Sequence, residues 1–303
     1  MSVRQRTLKK ASGSARDLTV MCAGRQSMDA QSSRLARSGE SRLSRQTIKR
    51  ATARFRGRTP QVARRIQLPI VPNRLIKLLP PRDQLRLLTI SESVHLVSGE
   101  VLCKSGESIR HVYFPTQSFI SLITVVDDKP VLEVGMVGRE GMAGVQLVLG
   151  VKTSPYQALV QGAGASYRIA VRDFCRELDR SAALRHCLQR YAYVVMVQLA
   201  STAACTRFHL IGQRLARWLL MTQDRAASDS FHVTHEFLAY MLGVRRVGVT
   251  NAAHGLQRAG LIKYRRGELI VLNRRGLEAA ACGCYVDNIR SYAKLLSKPR
   301  ASR

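Results

Sequence analysis

Two hydrophobic rhythms divide the chain. Between Ser93 and Ala170 the apolar residues come in short runs separated by turn formers. Val94-His95-Leu96-Val97 precedes Ser98-Gly99-Glu100, Val101-Leu102-Cys103 precedes Lys104-Ser105-Gly106-Glu107, and His111-Val112-Tyr113-Phe114 precedes Pro115. Ser118 to Val126, Val131 to Val137, Ala158 to Gln161 and Ser166 to Ile169 follow. Short strands at such regular spacing predict a small antiparallel barrel or jelly roll, which protects its edges and can enclose a pocket. Ahead of it, Asn73 to Leu79 and Arg82 to Thr89 read as two short helices split by Pro80-Pro81, the second with Leu85 and Leu88 facing inward. Past Arg172 the period lengthens. Leu184, Leu188, Tyr191, Val195, Gln198, Thr202 and Cys205 recur in alternating steps of four and three, a heptad seam on one long helix. Such a stripe must be buried, and a second copy of the same helix is the simplest partner; packing on its own barrel is the alternative. A further helix over Phe208 to Gln223 carries Ile211, Leu215, Trp218, Leu219 and Thr222 on one face.

The segment Val233 to Ile262 organises the rest. Thr234 to Leu242 reads as a helix with Phe237, Leu238 and Met241 on one side. Gly243 ends it, because glycine accepts a positive φ without a Cβ clash. Arg245 to Ala259 reads as a second helix that hides Val249, Ala252, Ala253 and Leu256 and shows Arg245, Arg246, Thr250, Asn251 and Arg258. A short helix, a glycine turn and a basic second helix make a helix-turn-helix, whose second helix fits the major groove of DNA. Ile262 to Tyr264 and Leu269 to Leu272 flank Arg265-Arg266-Gly267-Glu268 as a hairpin, the wing of a winged helix. The plainer reading is a pair of hairpins with no ligand. The basic exposed faces argue against it.

Charge strengthens the nucleic-acid reading. The 303 residues hold 49 Lys and Arg against 20 Asp and Glu, a net charge of +29, with a pI near 11.0. A balance of that kind points to a polyanion. Residues 1–67 alone contain 17 Lys and Arg against three acids, with sparse apolar residues and no sustained period. They are expected to be a disordered basic extension that adds phosphate contacts. A targeting leader, or a true start at Met21 or Met28, are the other readings. No run approaches the roughly 18 apolar residues of a membrane span, so no membrane partner is expected. Seven scattered cysteines fit reduced thiols in a cytoplasm better than a disulfide framework. Cys282-Gly283-Cys284 is the only close pair. Its single intervening residue is not the usual zinc or redox spacing, and no His/Cys pair lies nearby in sequence, so no metal is expected there.

The order of parts resembles the Crp/Fnr family of bacterial transcription regulators. The resemblance rests on VSGEVLCKSGES and VYFPTQSFISL in the roll, VGREGMAG in the pocket region and FLAYMLGVRRVGVTNAAHGLQRAGLIKYRRGELIVL near the end, and it covers about 70 to 285. It implies an α+β chain in four parts: the extension 1–67, a double-stranded β-helix (jelly-roll) sensor over 68–180, a dimerisation helix over 181–208 and a winged helix-turn-helix over 209–290. It also implies a cytoplasmic homodimer on double-stranded DNA, with RNA polymerase and a small-molecule effector as further partners. By position, Arg245, Arg246, Val247, Thr250 and Asn251 would face the groove. Arg246 matches a position that is usually arginine and can bond guanine bidentately. Val247 departs from the family's common glutamate and can only touch a thymine methyl. Lys263, Arg265 and Arg266 on the wing would meet phosphates, which position without specifying. Thr234 and His235 could hold a phosphate at a helix N-terminus.

The effector is less well marked. Cyclic-nucleotide binders of the family hold the ribose with a Gly-x-Glu segment and the phosphate with an Arg-Ser/Thr pair. Gly138, Arg139, Glu140 and Gly141 can be laid on the first; near Lys152 the second is missing. Lys152 or Arg139 would have to substitute, because a buried phosphate needs a cation. A cyclic nucleotide is therefore not expected. Nor is an iron–sulfur cluster, since only Cys22 precedes the roll. A haem would need an axial ligand such as His95 or His111, though a lone strand histidine is usually structural. No nucleophile–base pair, phosphate loop or metal triad at useful spacing speaks for an enzyme, and no residue is assigned a catalytic role. Two other functions remain open: a ligand-binding module whose winged helix contacts protein, and a non-specific nucleic-acid binder driven by the basic extension.

Overall fold

The computed structural model describes residues 73–126, 129–226 and 228–296. The basic extension 1–67 lies outside the described residues. Helix α1 (Arg74–Leu78) is pinned by Asn73, whose carbonyl oxygen accepts from the N–H groups of Leu75 and Ile76. The same amide donates to the carbonyls of Pro115 at 2.9 Å and Gly141 at 3.0 Å, so the helix cap is also a bolt into the roll. In α2 (Pro81–Thr89) the buried residue is Leu87, while Leu85 is exposed and Leu88 half-buried. The inward face is thus turned from the one the sequence suggests.

Seven strands build the roll: β1 (Glu92–Leu96), β2 (Val101–Cys103), β3 (His111–Pro115), β4 (Phe119–Val126), β5 (Lys129–Val137), β6 (Gln157–Gly162) and β7 (Gly164–Ala170). All pairings are antiparallel, in sheets of order β1-β7-β3 and β2-β6-β4-β5. Each of the seven apolar runs becomes one strand. Gly99 and Gly106 take positive φ at the turns, where a side chain would strain the backbone.

Helix α3 (Val171–Arg180) leads into α4 (Ala182–Phe208), which Ser181 caps by accepting from the Leu184 N–H. The heptad stripe from Leu184 to Cys205 is buried, but within the protomer: it packs on α1, the roll and the C-terminal helix. The expectation that it pairs with a second copy is therefore corrected. A parallel row on the opposite side of α4 stays exposed. His186, Gln189, Tyr193, Met196, Ala200, Ala203 and Arg207 repeat the same three-four spacing.

Helix α5 (Ile211–Ala226) is buried on every side from Arg214 to Gln223. Then come β8 (Ser230–His232), α6 (His235–Leu242), α7 (Arg246–Arg258), β9 (Ile262–Arg265), β10 (Glu268–Val271), α8 (Arg274–Ala280) and α9 (Cys284–Leu295). Strand β8 completes a small sheet of order β8-β10-β9. Ile123, Met136 and Leu159 of the roll share one hydrophobic core with Leu215, Trp218 and Leu219 of α5 and with Phe237, Leu238 and Val249 of the helix-turn-helix. Each such side chain contributes ~1.5–3 kcal/mol by leaving water. No helix among the described residues is long and apolar enough to cross a membrane.

Candidate nucleic-acid interface

Thr234 starts α6: its hydroxyl accepts from the Phe237 N–H at 3.1 Å. Gly243 ends the helix with φ 60°, the left-handed turn that sets the angle of the next helix. Arg245 occupies the N-cap of α7 with no side-chain cap of its own. Val249, Ala253 and Leu256 face the core, at the helical spacing the sequence shows. Arg245, Arg246, Val247 and Asn251 are exposed, and Val247 is an apolar residue 64% open to solvent at the front of the helix.

The wing is a two-residue hairpin in which Glu268 pairs with Arg265. Its loop residues Arg266 and Gly267 have φ of 52° and 87°. Both signs are those a tight turn needs to follow the twist of the strands. Lys263, Arg265 and Arg266 are exposed on it. The Tyr264 hydroxyl donates to the Val233 carbonyl at 2.5 Å, and the Val233 N–H donates to the Gly267 carbonyl at 2.7 Å, fixing the wing to the start of α6.

Two expected contact residues turn toward each other. Thr250 Oγ1 lies 3.1 Å from His235 Nδ1, and the His235 ring packs on Tyr264 with centroids 4.6 Å apart. Burial, with Arg246 and His254 adding to it, pushes His235 below its ordinary pKa. The ring is therefore a neutral strut between α6, α7 and the wing. Asn251 lines a groove with His254, Gln257, Arg258 and Tyr264. His254 and Gln257 escape a reading confined to the front of the helix. Their signal is the continuation of the Thr250–Asn251 face one turn onward.

The pocket residues are scattered. Glu140 is bound to Arg225 of α5 at 2.6 Å, with both side chains largely buried. Gly138 and Gly141 leave room for side chains of α5 and α4: a Cβ on Gly138 would meet Glu140 Oε2 at 2.7 Å and Arg225 Cγ at 2.8 Å, and one on Gly141 would collide with the Tyr191 hydroxyl. Arg139 and Lys152 are exposed, and the Lys152 backbone belongs to the far loop, accepting from the Ile109 N–H. A cavity of about 470 Å³ opens beside this segment, between α1, α4, α5 and α9. Gln198, Asn288 and Tyr292 line it, and the Asn288 amide and the Tyr292 hydroxyl are buried without hydrogen-bond partners.

A roll, a long helix and a winged helix in this order occur together in known proteins. Residues 213–280 match the Crp-like helix-turn-helix domain. The chain has the Crp/Fnr fold. It is similar to FixK2 from Bradyrhizobium japonicum at 12% identity, covering 64% of this chain and 98% of that one with a TM-score of 0.55. It is similar to TTHB099, a CRP-family transcriptional regulator from Thermus thermophilus, at 20% identity, with coverages of 62% and 96% and a TM-score of 0.53. The c-di-GMP responsive global regulator CLP from Xanthomonas campestris matches at 15% identity, with coverages of 63% and 99% and a TM-score of 0.53. No curated protein sequence matches the chain. On the Crp/Fnr fold, α7 is the second helix of the helix-turn-helix and the β9–β10 hairpin is its wing.

Proposed function

We propose that this Crp/Fnr-type chain is a cytoplasmic, homodimeric transcription regulator that binds double-stranded DNA sequence-specifically. The observation that carries this is the exposed front of α7, with Arg245, Arg246, Val247 and Asn251 on one solvent face beside a basic wing. Two such helices related by two-fold symmetry would enter major grooves about 10 bp apart. Arg246 reads guanine, Val247 touches a thymine methyl, and Asn251 reads adenine. Lys263, Arg265 and Arg266 hold phosphates. The Thr234 hydroxyl caps α6, so a phosphate there would use the backbone N–H groups of the first turn. Dimerisation is assigned to the exposed row of α4, whose Ala200 and Ala203 let two helices approach closely. RNA polymerase is the expected protein partner once the regulator sits on DNA.

The signal-sensing half of the reading draws on the cavity beside Gly138 to Gly141. Unpaired buried groups at Asn288 and Tyr292 call for a polar occupant. DNA affinity that does not change across a panel of cell metabolites would argue against an effector there.

The test is selection of bound duplexes from a random pool by the full chain at about 150 mM salt, where non-specific phosphate binding is weak. A two-fold symmetric consensus is the expected result; enrichment of nothing, with and without metabolite extract, would overturn the reading. On the selected site Arg246→Ala should cost about 1–3 kcal/mol and relax preference at one base pair. If the winged helix instead contacts protein, Arg246→Ala leaves DNA binding unchanged. If the basic extension drives binding, removal of residues 1–67 abolishes it, whereas a sequence-specific regulator loses only part of its salt dependence.

A further inference from the structure

Cys282 and Cys284 are joined in space by partners from 77 and 75 positions away. Cys205 and His209 sit one turn apart at the C-terminal end of α4, His209 being its cap residue. Cys282 lies in the turn after α8, and Cys284 opens α9. Cys205 Sγ is 3.5 Å from Cys282 Sγ, and Cys284 Sγ is 3.6 Å from His209 Nδ1. All four ligand atoms fall within 4.8 Å of one another.

We propose that Cys205, His209, Cys282 and Cys284 form a structural zinc site that clasps the two ends of the DNA-binding module together. Metal–sulfur bonds of ~2.3 Å and metal–nitrogen bonds of ~2.0–2.1 Å at tetrahedral angles separate neighbouring ligand atoms by roughly 3.6–3.8 Å. The Cys284–His209 contact has that spacing, and the Cys205–Cys282 contact of 3.5 Å is slightly shorter. A fully bonded disulfide would bring two sulfurs to ~2.05 Å. An iron–sulfur cluster spreads its cysteines over several irons and would hold them wider apart. Three thiols and an imidazole are the donor set that selects zinc, and four protein ligands leave no open position for catalysis.

The surroundings fit the charge of such a centre. Zinc with three thiolates carries one net negative charge, which a buried site must offset. Arg217 on α5 is buried, acts electrostatically on both Cys205 and Cys282, and has an Nε with no hydrogen-bond partner. Its Nη2 donates to Thr202 at 3.3 Å, one turn before Cys205. Outer groups of this kind orient and neutralise a metal centre.

The position gives the site its consequence. His209 lies in the break between α4 and α5, where the long helix hands over to the DNA-binding module. Cys282 and Cys284 lie where that module ends. One ion would therefore tie residues 205–209 to 282–284 and close the whole helix-turn-helix and wing into a loop held at a single point. The orientation of the reading helix against the long helix then depends on metal loading and on thiol reduction.

The experiment is metal analysis of the full chain purified under reducing conditions, followed by exchange of zinc for Co²⁺. One zinc per chain is expected, and cobalt should give the intense visible absorption of a tetrahedral thiolate site. Cys282→Ser with Cys284→Ser should lose both. If that variant does not fold, His209→Cys decides: it should retain one ion and gain thiolate-to-cobalt charge-transfer intensity, which only a ligand at position 209 can do. A reduced, folded chain that takes up no cobalt overturns the proposal. So does a His209→Cys spectrum identical to the parent, or a metal-free protein isolated with Cys205 bonded to Cys282.

Discussion

Glu133 is a carboxyl group buried at the join between the roll and α5. Ser121 donates to it at 2.6 Å, and Arg225 and Arg217 of α5 act on it from the other side. Burial outweighs these and raises its pKa to about 7. The folded state therefore binds a proton more readily than the unfolded chain. The resulting stability is complete below the unfolded value of 4.5 and is lost as pH rises through about 7. Thermal melts should show the join weakening between about pH 4.5 and about pH 7, by roughly 3 kcal/mol at most. Glu133→Gln should flatten that dependence, and an unchanged pH profile in the variant would refute the assignment. Gly141 makes a second residue-scale prediction. Its missing Cβ leaves room for the fully buried Tyr191, whose hydroxyl donates to the Met142 carbonyl. Gly141→Ala should destabilise the chain by about 1–3 kcal/mol in denaturant unfolding, through overpacking. The sequence shows Gly138 to Gly141 as a glycine-rich turn fit for a ribose. What it cannot show is that the glycines make way for two helices that arrive 50 and more residues later.

At the scale of elements, α4 carries two heptad rows, and hydropathy alone selects the wrong one for self-pairing. Leu184, Leu188 and Val195 are the more apolar set, so they serve the protomer's own core. The row through Tyr193 and Met196 is weaker, yet these residues are 56% and 58% exposed. If the dimer forms there, Met196→Glu should convert it to monomer in sedimentation experiments. It should also cut DNA affinity by roughly tenfold or more, since one protomer reads only one half-site. A variant that stays dimeric would move the interface elsewhere. The strands of the roll were all legible because each needs only a local alternation and a turn. The second helix of the helix-turn-helix and the wing were legible because their patterns are equally local. Strand β8 was not: Ser230-Phe231-His232 offers one apolar residue, and its pairing with β10 is decided by the hairpin it joins. Helix α8 carries one large apolar residue, Leu277, and α9 carries several of which Val286 and Ile289 are exposed, so the burial of Leu277 and Tyr285 beside α5 follows from contacts that no local pattern records.

At the scale of the whole molecule, what escaped the sequence is distance. Cys205, His209 and the 282–284 pair are inconspicuous along the chain, because spacing reveals a metal site only when its ligands are close in sequence. The same holds for the cavity, which is lined by residues of α1, α4, α5, α8 and α9. The helix buried on all sides, α5, has a consequence in time. A ribosome completes the roll and the long helix first, and α5 then emerges with one face matched to a finished sheet and the other to residues not yet made. Until helices α6, α7 and α8 arrive, the other side of that helix has nothing to lie against. The interval between synthesis of Ile211 and Ala280 is thus a period in which a nascent chain needs shelter from its neighbours.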